Sequence, residues 1–346
     1  MKSLVEKALC AAVAFAAVTA AHAQEKVLNL YSARHYQTDE MLYSNFTKET
    51  GIKINRIEAD DNPLLERIKS EGKNSPADVI LLVDAARLWR AQTDGLFQPV
   101  KSRVLESRIP ANLRGKDEGK GAEWYGFSTR GRIIVYNKDT VKPEDVATYE
   151  SLADPKNKGK VCTRSGSHPY MLSLIGSMIE RDGERATEDW AKGVVANFAR
   201  PPQGGDTDQI KGVASGECGV AVANTYYYVR LLRSTKPEDK QAMSKVAFVW
   251  PNQKTSGTHV NIAGGGVARY APHRDAAVKF LEYLASDEAQ SYFANGNNEW
   301  PAVPTAVAKN PALESLGKFK AENISIAVIG KNQVAAQKIV DRAGYK

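Results

Sequence analysis

Short apolar runs alternate with amphipathic stretches along almost the whole chain, and their spacing predicts strands and helices in turn. Val27-Leu28-Asn29-Leu30-Tyr31 reads as a strand. From Thr38 to Thr50 the apolar positions Met41, Leu42 and Phe46 share one helical face, with Thr38 or Asp39 as cap and Gly51 as stop. Ile52 to Ile57 reads as a second strand, and Pro63 to Glu71 as a second helix ended by Gly72. Asp78-Val79-Ile80-Leu81-Leu82-Val83 is a continuous apolar run after its first residue, as in a parallel strand buried on both faces. A βαβαβ opening of this kind predicts an open α/β sheet.

The middle of the chain repeats that logic. Arg132 to Tyr136 and Gly159 to Thr163 read as strands, and Pro169 to Arg181 as the helix that follows the second of them. Thr187 to Phe198 is a helix with Trp190 and Val194 on one face, and Asp208 to Ser215 a shorter one leading to a Gly219–Ala223 strand. Phe248-Val249-Trp250-Pro251 reads as a connection back toward the first half, and helices follow from Asp275 and from near Ser286. No internal repeat, low-complexity segment or long linker interrupts the pattern, which predicts two lobes joined by short crossing segments. Gly264-Gly265-Gly266 lacks the Lys-Ser/Thr of a phosphate loop and predicts a tight chain reversal.

The N-terminus changes the compartment. Lys2 and Lys7 precede an apolar stretch from Ala8 to Ala20, too short to anchor in a bilayer, and Ala21-His22-Ala23 is a small-x-small cleavage site. Residues 1–23 therefore read as a secretory signal peptide, with the mature chain starting at Gln24. Cys10 leaves with that leader, and its context is a poor lipoprotein box. Two cysteines remain, Cys162 and Cys218, and an even count in an exported protein predicts one disulfide. The net charge is +7, of which the leader contributes one. No dense Lys/Arg block interleaved with aromatics occurs, which argues against a nucleic-acid partner, and no later segment predicts membrane insertion. The mild positive field suits an anionic ligand or a metal carried with anions.

Candidate chemistry falls at the strand ends. Tyr226-Tyr227-Tyr228 follows the Gly219–Ala223 strand, with Asn224 or Thr225 as helix cap. Tyr170 follows the Val161–Thr163 strand, just inside a helix, and His35-Tyr36 follows the first strand. Ligands of open α/β sheets bind beyond the carboxyl ends of strands, where helix N-termini add positive potential. In mid-helix, neighbours i and i+1 diverge, but at a strand-to-helix junction Tyr226 and Tyr227 can aim at one point. Packing explains a tyrosine run equally well, and Tyr228 is assigned to packing. Several phenolates at one site call for a strongly polarising ion, since an ordinary tyrosine has a pKa of about 10. Ferric iron fits; zinc favours His and Cys, and calcium favours carboxylates and carbonyls. Asp84 is either a carboxylate ligand or only a helix cap. Arg130 and Arg132 precede a strand and read as an anion anchor or as surface charge. No Gly-x-Ser-x-Gly elbow or triad supports a secreted hydrolase, and the chain is not read as an enzyme.

These features together resemble the periplasmic ferric-ion-binding proteins of bacterial iron ABC transporters. The resemblance is carried by Leu30-Tyr31-Ser32-Ala33-Arg34-His35-Tyr36, Ser75-Pro76-Ala77-Asp78-Val79, Ser128-Thr129-Arg130-Gly131-Arg132 with the strand after it, Asn197 to Gly204, Ala223 to Tyr227, Phe280 to Gln290 and Asn298 to Pro301. It implies a two-lobed periplasmic-binding-protein fold of type II, with central mixed sheets flanked by helices and a ligand cleft between the lobes. The implied N-terminal lobe is 24–129 plus about 251–304, and the C-terminal lobe about 130–250 plus 305–346. It implies ferric iron held by Tyr170, Tyr226 and Tyr227, with the N-terminal ligand matching His35-Tyr36: some members use the histidine with a carboxylate, others the tyrosine, others an added carbonate or phosphate, and Tyr36 places this chain nearer the tyrosine-rich branch. Arg130 matches the arginine that anchors a synergistic carbonate. The family's acidic ligand falls near Val83-Asp84 without a clean match and is not carried over. The implied protein is a periplasmic monomer that delivers iron to an inner-membrane ABC permease. The alternative is a protein of the same fold that binds a polyamine, thiamine or a phosphate-like oxyanion.

Overall fold

The structure, a computed structural model, describes residues 26–34 and 39–346. The expected signal peptide and the His35-Tyr36 pair lie outside the described residues. The first part of the chain runs β1 (Val27–Ser32), α1 (Asp39–Thr50), β2 (Lys53–Glu58), α2 (Asp61–Glu71), β3 (Val79–Val83), α3 (Ala85–Thr93), α4 (Arg103–Arg108) and β4 (Tyr125–Asn137). The middle runs β5 (Val161–Cys162), α5 (Pro169–Asp182), α6 (Glu184–Ala196), α7 (Asp206–Ser215), β6 (Val220–Asn224), α8 (Thr225–Leu232), α9 (Pro237–Lys245) and β7 (Val246–Val249). The last part runs β8 (Val260–Val267), α10 (Arg274–Leu284), α11 (Asp287–Asn295), β9 (Trp300–Pro301), α12 (Pro311–Glu314), α13 (Ile326–Lys331) and α14 (Gln333–Ala343).

The strands form one curled mixed sheet in the order β2-β1-β3-β8-β4-β6-β5, with β7 and β9 also paired to β4. β1, β2 and β3 are parallel, as the βαβαβ opening predicts. The expected strand at Arg132 to Tyr136 is the second half of β4, a 13-residue strand. Its first half pairs antiparallel with β8 and β9, and its second half with β6 and β7. β4 thus joins the strands around β8 to those around β6. Its first half was illegible because Gly126, Ser128 and Gly131 break the apolar alternation, and a register shift falls between Gly126 and Ser128.

The glycine triad is a correction. Gly264, Gly265 and Gly266 do not reverse the chain; they lie inside β8, between β3 and β4. A Cβ on Gly264 would come within 2.4 Å of the Tyr125 carbonyl oxygen, and one on Gly265 within 2.4 Å of that of Ile80. Glycine at this position permits close backbone approach in a central strand, the other reading of an interior glycine.

Burial follows the pleat. Along β4, Ile134 faces one core with Val220 and Val222 of β6, under Met171, Leu174 and Ile175 of α5. Ile133 and Val135 face the other with Ala221 and Ala223, under Ile210 and Val213 of α7 and Val229 of α8. Each buried Val, Ile or Leu contributes about 1.5–3 kcal/mol. A separate core gathers Leu28, Leu30, Phe46, Leu64, Ile80, Leu82 and Phe280 around β1 and β3. Ile326 and Ile329 of α13 join this first core, and α13 touches both α3 and α5. Cys162 and Cys218 form the expected disulfide, with Cα atoms 5.8 Å apart.

Candidate functional site

Two junctions bring tyrosines together. His168 is the N-cap of α5, its Nδ1 accepting from the Tyr170 N–H at 3.2 Å, and Pro169 supplies the first helical position. Tyr170 therefore stands in the first turn of α5. β6 passes directly into α8, whose first turn carries Tyr226 and Tyr227. The Thr225 hydroxyl accepts from Gly131 N–H at 3.2 Å, tying the start of α8 to β4.

The phenol oxygens of Tyr170 and Tyr226 are 3.0 Å apart, and both side chains are buried. The rings of Tyr226 and Tyr227 lie 4.3 Å apart at 33°, and Tyr227 is half-buried. Tyr228 turns away as expected, packing edge-on against Phe248 at 5.2 Å in the core beneath α8. Burial raises the Tyr170 pKa above the ordinary phenol range, opposed mainly by the positive charge of Arg130. Without a bound cation Tyr170 is a neutral phenol at pH 7.

An arginine belt surrounds Tyr170. The guanidinium of Arg164 lies 4.9 Å from the ring centre, that of Arg130 5.7 Å and that of Arg132 5.9 Å. Asp206 ties two of them together: Arg132 donates to one carboxylate oxygen at 2.6 Å and Arg164 to the other at 3.2 Å. Burial pushes the Asp206 carboxyl up, but Arg132 and Arg164 outweigh it and hold the pKa below the usual range. One carboxylate between two guanidiniums leaves that trio positive. Arg130 is fully buried, 3.8 Å from the carboxylate of Glu299, so it is not the surface charge that was one reading of it. Arg230 lies 4.9 Å over the Tyr227 ring. His168 is held neutral, its pKa lowered to about 3 by burial and then by Arg164.

Tyr170, Tyr226, Tyr227 and Arg130 therefore come together, while Tyr36 and His35 lie outside the described residues. Asp84 caps α3, accepting from Ala86 N–H at 2.8 Å, and its oxygens also accept from Ser173 and Asn261. Arg164, His168, Asp206, Arg230 and Glu299 were missed. Arg230 had a signal, three residues after Tyr227 on one helix. Asp206 had none, being 74 residues from Arg132. Among the described residues no three His, Cys, Asp or Glu side chains group to hold a metal. Phenols under a cationic belt can ionise onto a small, highly charged ion, and the belt then offsets the surplus negative charge.

Residues 42–321 match the family model for bacterial extracellular solute-binding proteins. The chain is 51% identical over 323 residues to iron uptake protein A1 of Synechocystis, covering 93% of this chain and 88% of that one. A Trichodesmium protein (IdiA, FutA), solved in complex with iron and citrate ligands, superposes with TM-score 0.87 at 52% identity, covering 92% of this chain and all of that one (100%). The ferric binding protein from Campylobacter jejuni superposes with TM-score 0.87 at 39% identity, covering 92% of this chain and 100% of that one.

Proposed function

Because this chain belongs to the bacterial extracellular solute-binding proteins, we propose that it captures ferric iron in a cleft between two lobes and hands it to a membrane permease. The observation that carries this reading is the pair of phenol oxygens of Tyr170 and Tyr226, buried and 3.0 Å apart on two helix N-termini. Tyr170, Tyr226 and Tyr227 hold the ion from the second lobe. Tyr36 and His35 close the shell from the first. The relatives with similar sequence are named for iron uptake or ferric binding, which favours iron over a polyamine, thiamine or an oxyanion.

The lobes are 24–129 plus about 251–304 and about 130–250 plus 305–346, with α13 of the second packed against the core of the first. β4, the segment leading into β8 and the chain near residues 304–305 are the crossings. Binding and release use ligand exchange and hinge motion, with no covalent step. Arg130 has two candidate roles: anchoring a carbonate as an added ligand, or offsetting phenolate charge. The Arg130 guanidinium 5.7 Å from the Tyr170 ring centre, which opposes the rise that burial imposes on that phenol's pKa, favours the second. The protein acts in the periplasm as a monomer.

Ferric titration of the purified protein, with and without bicarbonate, tests this. A strong visible phenolate-to-iron charge-transfer band is expected in both. A band that appears only with bicarbonate assigns Arg130 to the anion. No band in either condition removes the iron reading.

A further inference from the structure

One stripe of α5 carries three side chains that leave the helix: Tyr170, Ser173 and Ser177. Their spacing of three and four places them on one face. Both serines are completely buried on a helix whose other inward positions are Met171, Leu174, Ile175 and Met178. Each donates to a buried carboxylate. Ser177 donates to Glu322, which in turn holds Nδ1 of His259. Ser173 donates to Oδ1 of Asp84 at 2.7 Å.

Asp84 does not belong to the core beneath α5. It joins β3 to α3, in the part of the sheet built on β1 and β3. Its Oδ2 accepts from the Asn261 side-chain amide at 2.8 Å, and Asn261 lies on β8. That amide cannot flip without loss, because its oxygen already accepts from Ala85 N–H at 2.9 Å and Ile262 N–H at 2.8 Å. Asp84 has φ 151°, where residues other than glycine are strained by about 1–3 kcal/mol. Such a conformation persists where surrounding contacts over-determine it. The cap bond to Ala86 accounts for the local turn, but not for the reach to Ser173 89 residues away.

We propose that Asp84 and Ser173 form a clasp between the lobes, closing the first lobe onto the helix that presents Tyr170. This rests on the iron reading for its consequence: both are positioning residues for iron retention, and neither touches the ion. When the lobes part, the Ser173 bond breaks and water replaces it at Asp84, so the clasp is reversible. When they close, the carboxylate is dry and the bond to it is strongest.

Ser173→Ala tests the clasp, with Ser177→Ala as a control on the same helix face: it removes a bond within the second lobe and leaves the Glu322–His259 contact between the lobes in place. The iron-loaded Ser173→Ala protein is expected to keep the wild-type charge-transfer band, because the phenols are untouched. Release of iron to an excess of chelator should quicken by about tenfold, the worth of a hydrogen bond to a charged group, with the capture rate unchanged. Small-angle X-ray scattering should find Ser173→Ala more open than wild type under identical conditions. Ser177→Ala should match wild type in release rate. Should Ser173→Ala not fold, Ser173→Cys keeps the volume and weakens the donor, and is read the same way.

Unchanged release and unchanged scattering in the Ser173 variant overturn the clasp, as does equal acceleration in both serine variants. A wild-type protein with no charge-transfer band removes the iron reading alone, and scattering still decides whether Asp84 and Ser173 hold the lobes.

Discussion

β3 and β6 are each buried along their whole length, and each runs directly into a helix beyond its carboxyl end. At the β3 end the cap residue is Asp84, with protein donors on both carboxylate oxygens: Ala86, Ser173 and Asn261. At the β6 end the cap position is Asn224, which makes no side-chain cap bond and instead accepts from Arg132 at 3.0 Å. The first turn of α8 then presents two phenols, Tyr226 hydrogen-bonded to the phenol of Tyr170 and Tyr227 under the guanidinium of Arg230. On the clasp reading the β3 junction is a joint, and on the iron reading the β6 junction is a site. The strand-to-helix geometry is shared; the difference is the chemistry placed there, a carboxylate held by amide and hydroxyl donors at one end and phenols under a positive field at the other.

The largest expected effect lies at the β6 end. Replacing Tyr226 and Tyr227 together by Phe should weaken and shift the charge-transfer band, Tyr170 and Tyr36 being the proposed phenols left, and weaken ferric binding by more than about 100-fold, since even outer partners of a metal site are worth about 10- to 100-fold. Chelator competition measures the loss. The same double variant should fold with nearly wild-type stability. At the β3 end the balance is reversed. Asp84→Asn sets an amide donor against the fixed Asn261 amide, and should cost about 2–4 kcal/mol in denaturant unfolding. If Asp84→Asn unfolds at the wild-type midpoint, the description of that junction as a joint is wrong.

The third junction, from β5 into α5, sharpens the contrast through pH. The His168 pKa is about 3 in the folded protein, against an ordinary value of about 6.5 in the unfolded chain. The unfolded chain therefore takes up a proton first as pH falls. Stability is whole above about pH 6.5 and declines toward pH 3, by about 2 kcal/mol at pH 5. His168→Asn keeps a capping acceptor, an amide oxygen in place of Nδ1, and should flatten this limb in thermal or denaturant unfolding across that range. The smallest effect is expected at Tyr228, which shares the run but not the site. Tyr228→Phe should leave the band and the iron affinity unchanged, with a stability change within about 0.5 kcal/mol. A changed band would bring Tyr228 into the site.

Much of the fold was legible because its signals are local. The apolar run at 79–83 is buried on both faces, as a continuous run implies, and the strand read at 219–223 forms as β6. Pro169 marks the start of α5, and Tyr228 fell outside the phenol cluster because helical geometry turns successive residues apart. The misreadings share a cause. The glycines at 264–266 look the same in a turn and in a crowded central strand; only the neighbours at β3 and β4 distinguish them. The first half of β4 lacks a clean alternation because its partners, not its own pattern, make it a strand.

The sequence by itself determined which side chains are available and where along the chain they stand: phenols at strand ends, arginines at 130 and 132, cysteines at 162 and 218. It determined this because caps, strand burial and helix phase act over a few residues. Tertiary structure alone decided how those groups are paired. Asp206 joins Arg132 and Arg164 across 74 and 42 residues, and Asp84 joins Ser173 and Asn261 across 89 and 177. Such partners meet only once the sheet has brought distant segments together, and the charge that Tyr170 experiences is set by those meetings.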